Sequence, residues 1–363
     1  MDCRWVEEIG KFQEIRGEWD EAVIGSGAYN PFLLSDFIIT WWKHFGGGRA
    51  LRIFVVYDGQ RITGGLPLYI RKGGCREAFA RSLCYVGDHA ANYTEPLYAG
   101  PEAEVLPMLK NSLAAKRDWD VLYLTDLRPE SRMLSECRGM GTDRRFSLRI
   151  FQDHMNWAID LSMGQEKYLS AISSKLRRDL RAKRRHLESD LGELKLRAIT
   201  GEAEVERHFD LYAEFSVNTF AERDKNSNFE NRRYAGFFRE FLVLMDRNRR
   251  LDAYALTAGD KILALGFGYR FGKGFNWVLT AYNPEHRYFR PGYLLIEELI
   301  KLVLSRGETC YNWYGYERFY KSQWCNNRSP LYSLAIVRSS IRGRAYRALR
   351  SIVRRVRGVK GAL

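Results

Sequence analysis

The stretch Leu279–Trp324 reads LTAYNPEHRYFRPGYLLIEELIKLVLSRGETCYNWYGYERFYKSQW. An aromatic, β-prone run closes at Tyr282, a polar turn leads to Pro291-Gly292, and apolar residues then recur at helical spacing to about Leu304. Gly307 ends this helix, and a second aromatic strand runs on toward Tyr320-Lys321. Strand, glycine at a helix start, helix, strand is a layout that exposes backbone N–H groups to an anionic, phosphorylated ligand. Alone it is generic, because helix starts are rich in proline and glycine.

Just before it, Leu251–Thr257, a turn at Gly259-Asp260, Ile262–Phe271, a turn at Gly272–Gly274 and Phe275–Tyr282 predict a three-strand meander. A hairpin of the same kind stands much earlier: Arg49–Tyr57, Asp58-Gly59, then Arg61–Arg71. Gly64-Gly65 and Pro67 predict that its return strand bulges or lies at an edge. LRIFVVYDGQRITGGLPLYI, beginning at Leu51, lines up with LDAYALTAGDKILALGFGYR, beginning at Leu251, and Trp119–Leu124 corresponds to Thr309–Tyr314. The pattern predicts a tandem repeat of one α+β domain, each a mixed, mainly antiparallel sheet flanked by helices. The expected boundaries are 1–158, 159–338 and a basic tail, 339–363. Between these landmarks, Ser35 and Asp36 are placed to cap a helix that stops at Gly46-Gly47-Gly48. No dinucleotide fingerprint, nucleophile elbow or P-loop occurs.

A chain of 363 residues with 45% hydrophobic and 14% aromatic residues has ample material for two cores. Asp2, Glu7, Glu8 and Glu14 leave no apolar leader in the first residues, and no apolar run reaches the roughly 20 residues that span a bilayer. A cytoplasmic protein is expected, peripheral at the inner membrane face as an alternative. The six cysteines are scattered, which predicts free thiols, and the dispersed histidines give no metal-ligand spacing.

The net charge of +14 is uneven. No acidic residue follows Glu317, and residues 338–360 hold nine Arg and Lys. A second basic segment, 175–185, lies where Ile172, Leu176, Leu180 and Leu187 define an apolar helical face. Both segments are candidates for an anionic membrane surface or the phosphates of tRNA, or are simply solvated charged faces.

PFLLSDFIITWWKHFGGG with its hairpin, ISSKLRRDLRAKRRHLE, AYNPEHRYFRPG and YNWYGYERFYKSQW together resemble the acyl-CoA N-acyltransferase (GNAT) superfamily in its double-domain form. The chain is most similar to the CelD-like or BioF2-like acetyltransferases, relatives of the Fem peptidoglycan aminoacyltransferases. The resemblance spans about residues 30–335. It implies GNAT-like tandem domains, acyl-CoA or acetyl-CoA as co-substrate, and the CoA pyrophosphate at the helix after Pro291-Gly292. The family tends to carry aspartate where this chain has Asn283 and Asn312.

Acyl transfer to an amine needs an amine that loses a proton, a polarised carbonyl and a protonated leaving group, with no enzyme nucleophile. Glu317 is the candidate base, Tyr320 a candidate donor to the leaving sulfur, and Lys321 a partner for substrate carboxylate or phosphate. Arg287, Arg290, Pro291, Gly292 and Tyr293 are the candidate cofactor-binding residues. Tyr282, Asn283, Asn312, Asp88 and Tyr93 are candidate acceptor contacts, and His89 is adjacent to Asp88 in the same loop. The leading expectation is an N-acyltransferase acting on a small-molecule or sugar-linked amine in envelope or polysaccharide assembly. The alternatives are a Fem-like aminoacyl-tRNA-dependent transferase and a degenerate, non-catalytic GNAT-like binding protein.

Overall fold

The computed structural model describes residues 1–27, 30–75, 79–88, 90–100, 102–140, 144–271, 274–314 and 319–357. Two units divide the chain: residues 1–155 with 329–363, and residues 156–328.

In the first unit, alternating β-branched residues form β2 (Ala50–Asp58) and β3 (Arg61–Lys72), joined at Gly59, whose φ of 60° suits the tight turn. The return strand does not lie at an edge. It pairs with β2 on one side and with β4 (Arg81–Tyr85) and the short β5 (Leu97–Tyr98) on the other. The expected irregularity is present as a register shift at Val56/Tyr57. Gly65 is required for packing: a Cβ there would come within 2.5 Å of the Trp19 ring. The sheet begins with β1 (Asp2–Val6) on β2, and β4 pairs parallel with β6 (Val121–Leu127). The last strand of the chain, β13 (Asn327–Arg338), lies antiparallel to β6. The first part of β7 (Phe146–Asp160) follows β13 in strand order.

The helices α1 (Ile9–Glu14), α2 (Arg16–Gly25), α3 (Ser35–Phe45), α4 (Glu102–Ala115) and α5 (Arg132–Met140) belong to this unit. Residues 2–20 hold β1, α1 and the start of α2. The cap of α3 differs from expectation. Ser35 is the first helical residue, and the Asp20 carboxylate binds its backbone N at 2.8 Å and its Oγ at 2.6 Å. A charged acceptor from another helix thus satisfies the first turn in place of a local hydroxyl.

The second unit repeats the plan. β8 (Leu194–Ala198), β9 (Leu251–Ala258), β10 (Lys261–Phe271) and β11 (Gly274–Tyr282) form an antiparallel run, and β12 (Cys310–Asn312) pairs parallel with β11. The end of β7 pairs with β12. The β4/β6 and β11/β12 parallel pairs stand where the repeat places Trp119–Leu124 and Thr309–Tyr314. The fold is therefore the expected α+β tandem, two sheets flanked by helices.

Helices α6 (Gln165–Ala171), α7 (Ser174–Leu191), α8 (Glu202–Ala221), α9 (Arg232–Arg247), α10 (Pro291–Ser305) and α11 (Phe319–Trp324) complete this unit. The chain breaks between α6 and α7 at Ile172, so Ile172 is buried but outside the helical face shared by Leu176, Leu180 and Leu187. A final helix, α12 (Ile341–Arg357), returns to the first unit. Among the described residues all six cysteines are free thiols.

Candidate functional site

At the end of β11, Asn283 turns the chain. Its side-chain oxygen accepts from Glu285 N at 3.0 Å and opens a 3-10 turn over Pro284–Phe289. Arg290 follows in the left-handed region, φ 54°, and Pro291 starts α10. Tyr293 N and Leu294 N both point back to Arg290 O, at 2.9 and 3.2 Å, and Pro291 has no N–H. Gly292 is left as the first-turn N–H with no acceptor among the described residues. A Cβ on Gly292 would meet only the Tyr282 ring, at 3.6 Å.

The arginines of this turn are already engaged. Arg290 pairs with Asp179 of α7 at 2.7 Å and stacks over Tyr293, and Arg287 pairs with Glu222 at 3.3 Å. Arg223 reaches the Tyr282 hydroxyl at 3.4 Å. The Lys183 ammonium sits 3.4 Å above the Tyr288 ring, and His186 meets Tyr288 and Phe289 edge-on. Helix α7 thus packs against the turn and α10. Arg184 binds Glu297 at 2.9 Å and also Glu298, whose pKa is lowered: burial opposes ionisation, but Lys301 and Arg184 outweigh it.

Strands β11 and β12 pair only at Phe275/Tyr311 and Asn276/Asn312. Beyond Asn312 the chain bends: the Asn312 side chain accepts from Tyr314 N at 3.2 Å, and Tyr314 is left-handed, φ 48°. The β11 edge from Trp277 to Tyr282 therefore has no β12 partner among the described residues, which leaves an opening at the parallel pair. Both asparagine side chains serve as local caps, a task aspartate performs equally well.

Near the opening, the Tyr314 hydroxyl donates to Asn276 at 2.6 Å and accepts from Tyr269 at 3.3 Å. Lys321 is only 8% exposed, and its ammonium donates to Tyr314 O at 2.7 Å and Trp313 O at 3.2 Å. Tyr320 meets Trp313 edge to face, and Tyr293 donates to Gln323 at 2.7 Å. Tyr320, Lys321, Asn312 and Tyr293 thus gather in this unit beside Tyr282, Asn283 and the α10 start. Glu317 and His89 lie outside the described residues.

Asp88 and Tyr93 lie in the first unit. Asp88 accepts from Tyr69 at 3.3 Å, and buried Tyr93 sits under the Arg128 guanidinium. Three further ionisable groups stand near this loop or at the end of β6, and the sequence reading did not single them out. Glu95 is 8% exposed; burial raises its pKa, with Arg128 pulling the other way. Asp126, left-handed at φ 57°, holds His154 Nε2 at 2.8 Å. The tight glycine-free bend at Asp126 and the distant histidine carry no local sequence signal, because the fold alone brings them together.

On α7, Lys175, Arg178, Arg181 and Arg185 are exposed, and among the described residues no carboxylate pairs with them. At 100° per residue the three arginines fall within roughly 60° of arc.

Residues 174–322 match the family described as acetyltransferase (GNAT) domain. Among solved structures, the chain is similar to FemX with 10% identity, covering 92% of this chain and 97% of that one, TM-score 0.62. It is similar to a conserved protein of unknown function from Bacteroides thetaiotaomicron, 12% identical over 93% of this chain and 100% of that one, TM-score 0.57. A third is the C-terminal domain of a putative lysylphosphatidylglycerol synthetase from Agrobacterium fabrum, 14% identical over 96% and 99%, TM-score 0.54. No curated protein matches. Residues 174–322 thus match a GNAT domain, and the fold of the chain is similar to that of FemX over nearly its whole length.

Proposed function

We propose that the chain transfers an aminoacyl group from a charged tRNA to an amine, as a Fem-like transferase. The observation that carries this reading is the exposed basic stripe of α7, which packs directly on the turn leading to α10. A run of arginines free of carboxylates suits a polyanion longer than a single diphosphate. The FemX-like tandem arrangement over nearly the whole chain supports it.

In the reaction, the acceptor nitrogen attacks the ester carbonyl, a C–N bond forms, the ester C–O bond breaks, and the ribose oxygen leaves with a proton. Glu317 is the proposed base, and Tyr320 the proposed donor to the leaving oxygen. Lys321 positions the Trp313–Tyr314 segment through its two carbonyls. The acceptor is a small-molecule or sugar-linked amine, with Tyr282, Asn283 and Asn312 as its contacts in the second unit. A tRNA donor requires a cytoplasmic location.

A second reading, a CelD-like acyl-CoA N-acyltransferase, is favoured by Gly292, whose free N–H and open surroundings suit a phosphate oxygen. The fit is thin. Pro291 offers no donor, and Arg287 and Arg290 must leave Glu222 and Asp179 to reach a pyrophosphate.

Mobility shifts with charged tRNA across a salt series test the first reading. The salt slope is expected to fall by roughly 2–3 in the variant R178Q/R181Q/R185Q, about 0.9 per phosphate contact. Binding that the variant leaves unchanged overturns it. Saturable acetyl-CoA binding without tRNA binding establishes the second. Binding of neither, by folded protein, leaves the non-catalytic alternative.

A further inference from the structure

We infer that α12 is a docking helix for an anionic lipid surface, a property beyond the transfer reaction and independent of its donor. At 100° per residue, Ile341, Ala345, Ala348 and Ile352 fall within roughly 60° of arc. All four are exposed, Ile341 at 80% and Ile352 at 57%. The two isoleucines are large apolar side chains left in water on a strongly cationic helix.

This exposure is built into the way the helix is seated. Ser340 Oγ accepts from Gly343 N at 3.0 Å and donates to Asp120 at 2.9 Å, tying the first turn to the first unit. A Cβ on Gly343 would collide with Arg338 O at 2.1 Å, so glycine lets the helix lie close. Tyr346 then packs on Ala80, Val121 and Val337. Gly343 and Tyr346 lie on the side of the helix turned roughly 120° or more from the isoleucine stripe. The unit therefore holds α12 with its apolar stripe facing outward.

Charge selects the occupant. Arg344 and Arg347 flank the stripe on one side and Arg342 on the other, and no acidic residue occurs after Glu317. An apolar stripe bordered by arginines matches the boundary between acyl chains and anionic headgroups, where isoleucine inserts and guanidinium groups stay with phosphate. A nucleic acid would use the arginines and leave the isoleucines in water. No described helix is long and apolar enough to cross a membrane, so the contact is peripheral.

The test is co-sedimentation of the full chain with phosphatidylcholine vesicles, with and without phosphatidylglycerol. Binding is expected only with phosphatidylglycerol. Each arginine is worth roughly fivefold in partition at the surface, so R344Q/R347Q should lose about 25-fold. I341D/I352D should abolish binding while leaving the thermal melt unchanged, because both side chains are exposed. Four results overturn the inference: equal binding to both vesicle types, no binding to either, I341D/I352D bound as tightly as the parent, or a concentration-dependent dimer that I341D/I352D dissolves. Retention on tRNA lost in R344Q/R347Q but kept in I341D/I352D, without vesicle binding, overturns it in favour of RNA.

Discussion

Replacing Lys321 with methionine separates a frame role from a chemical one. The ammonium is buried and donates to Tyr314 O and Trp313 O, the two carbonyls at the bend that ends the parallel pair. Methionine keeps the length and the apolar stem but removes both donors. A buried carbonyl left without its donor costs roughly 1–3 kcal/mol, and the relief of no longer desolvating an ammonium offsets part of the total. About 3 kcal/mol of destabilisation is expected. For a unit of this size, roughly 2–4 °C per kcal/mol gives a fall of about 6–12 °C in the midpoint of the second unit, read by calorimetry. The Tyr314–Asn276 bond should loosen with the bend, so transfer should fall together with stability. A melt unchanged to within about 1 °C, with transfer abolished, refutes this reasoning. It would mean that the ammonium serves a substrate and that its carbonyl bonds are incidental.

Three further outcomes follow from the same geometry. Gly292→Ala should preserve or slightly raise stability, by up to about 1 kcal/mol from helix propensity, since its Cβ meets only the Tyr282 ring at 3.6 Å. If the Gly292 N–H approaches a phosphate, isothermal titration should show weaker donor binding in that variant. Arg184→Met should destabilise by about 1–3 kcal/mol at neutral pH by removing one of the two cations that hold Glu297 and Glu298, leaving Lys301 alone. The folded pKa of Glu298 lies below 4.5, so its stabilisation is present above that value and is lost as pH falls through the folded pKa. The difference between parent and variant should therefore shrink in melts taken below pH 4.5. Glu95→Gln has the opposite sign. Burial raises the Glu95 pKa above 4.5, so its ionisation weakens the fold as pH rises, and the glutamine variant should melt higher at neutral pH. Lower transfer in that more stable variant would mark Glu95 as functional.

The alternation around Asp58-Gly59 and Gly259-Asp260 was enough to reveal two hairpins, their repeat and the α+β class. Local pattern dictates these features, because strand period and turn chemistry act between near neighbours. The helix beginning at Pro291 and the basic character of α7 were legible for the same reason. The sheet assignment of Asn327–Arg338 was not, since pairing with Val121–Leu127 depends on closure over a long separation that no local spacing records. Nor could the sequence show that Arg287 and Arg290 meet Glu222 and Asp179, that Lys321 turns inward to two carbonyls, or that Asp126 meets His154.

Composition announced a cationic carboxy-terminal segment. Only the tertiary structure decided which way its helix faces, because Gly343 and Tyr346 use one side as the seat and leave Ile341 and Ile352 in water. Sequence by itself determines periodicity and charge, which are sums over neighbours along the chain. The direction of a face, and the partner of a charge, depend on what the rest of the chain has already covered.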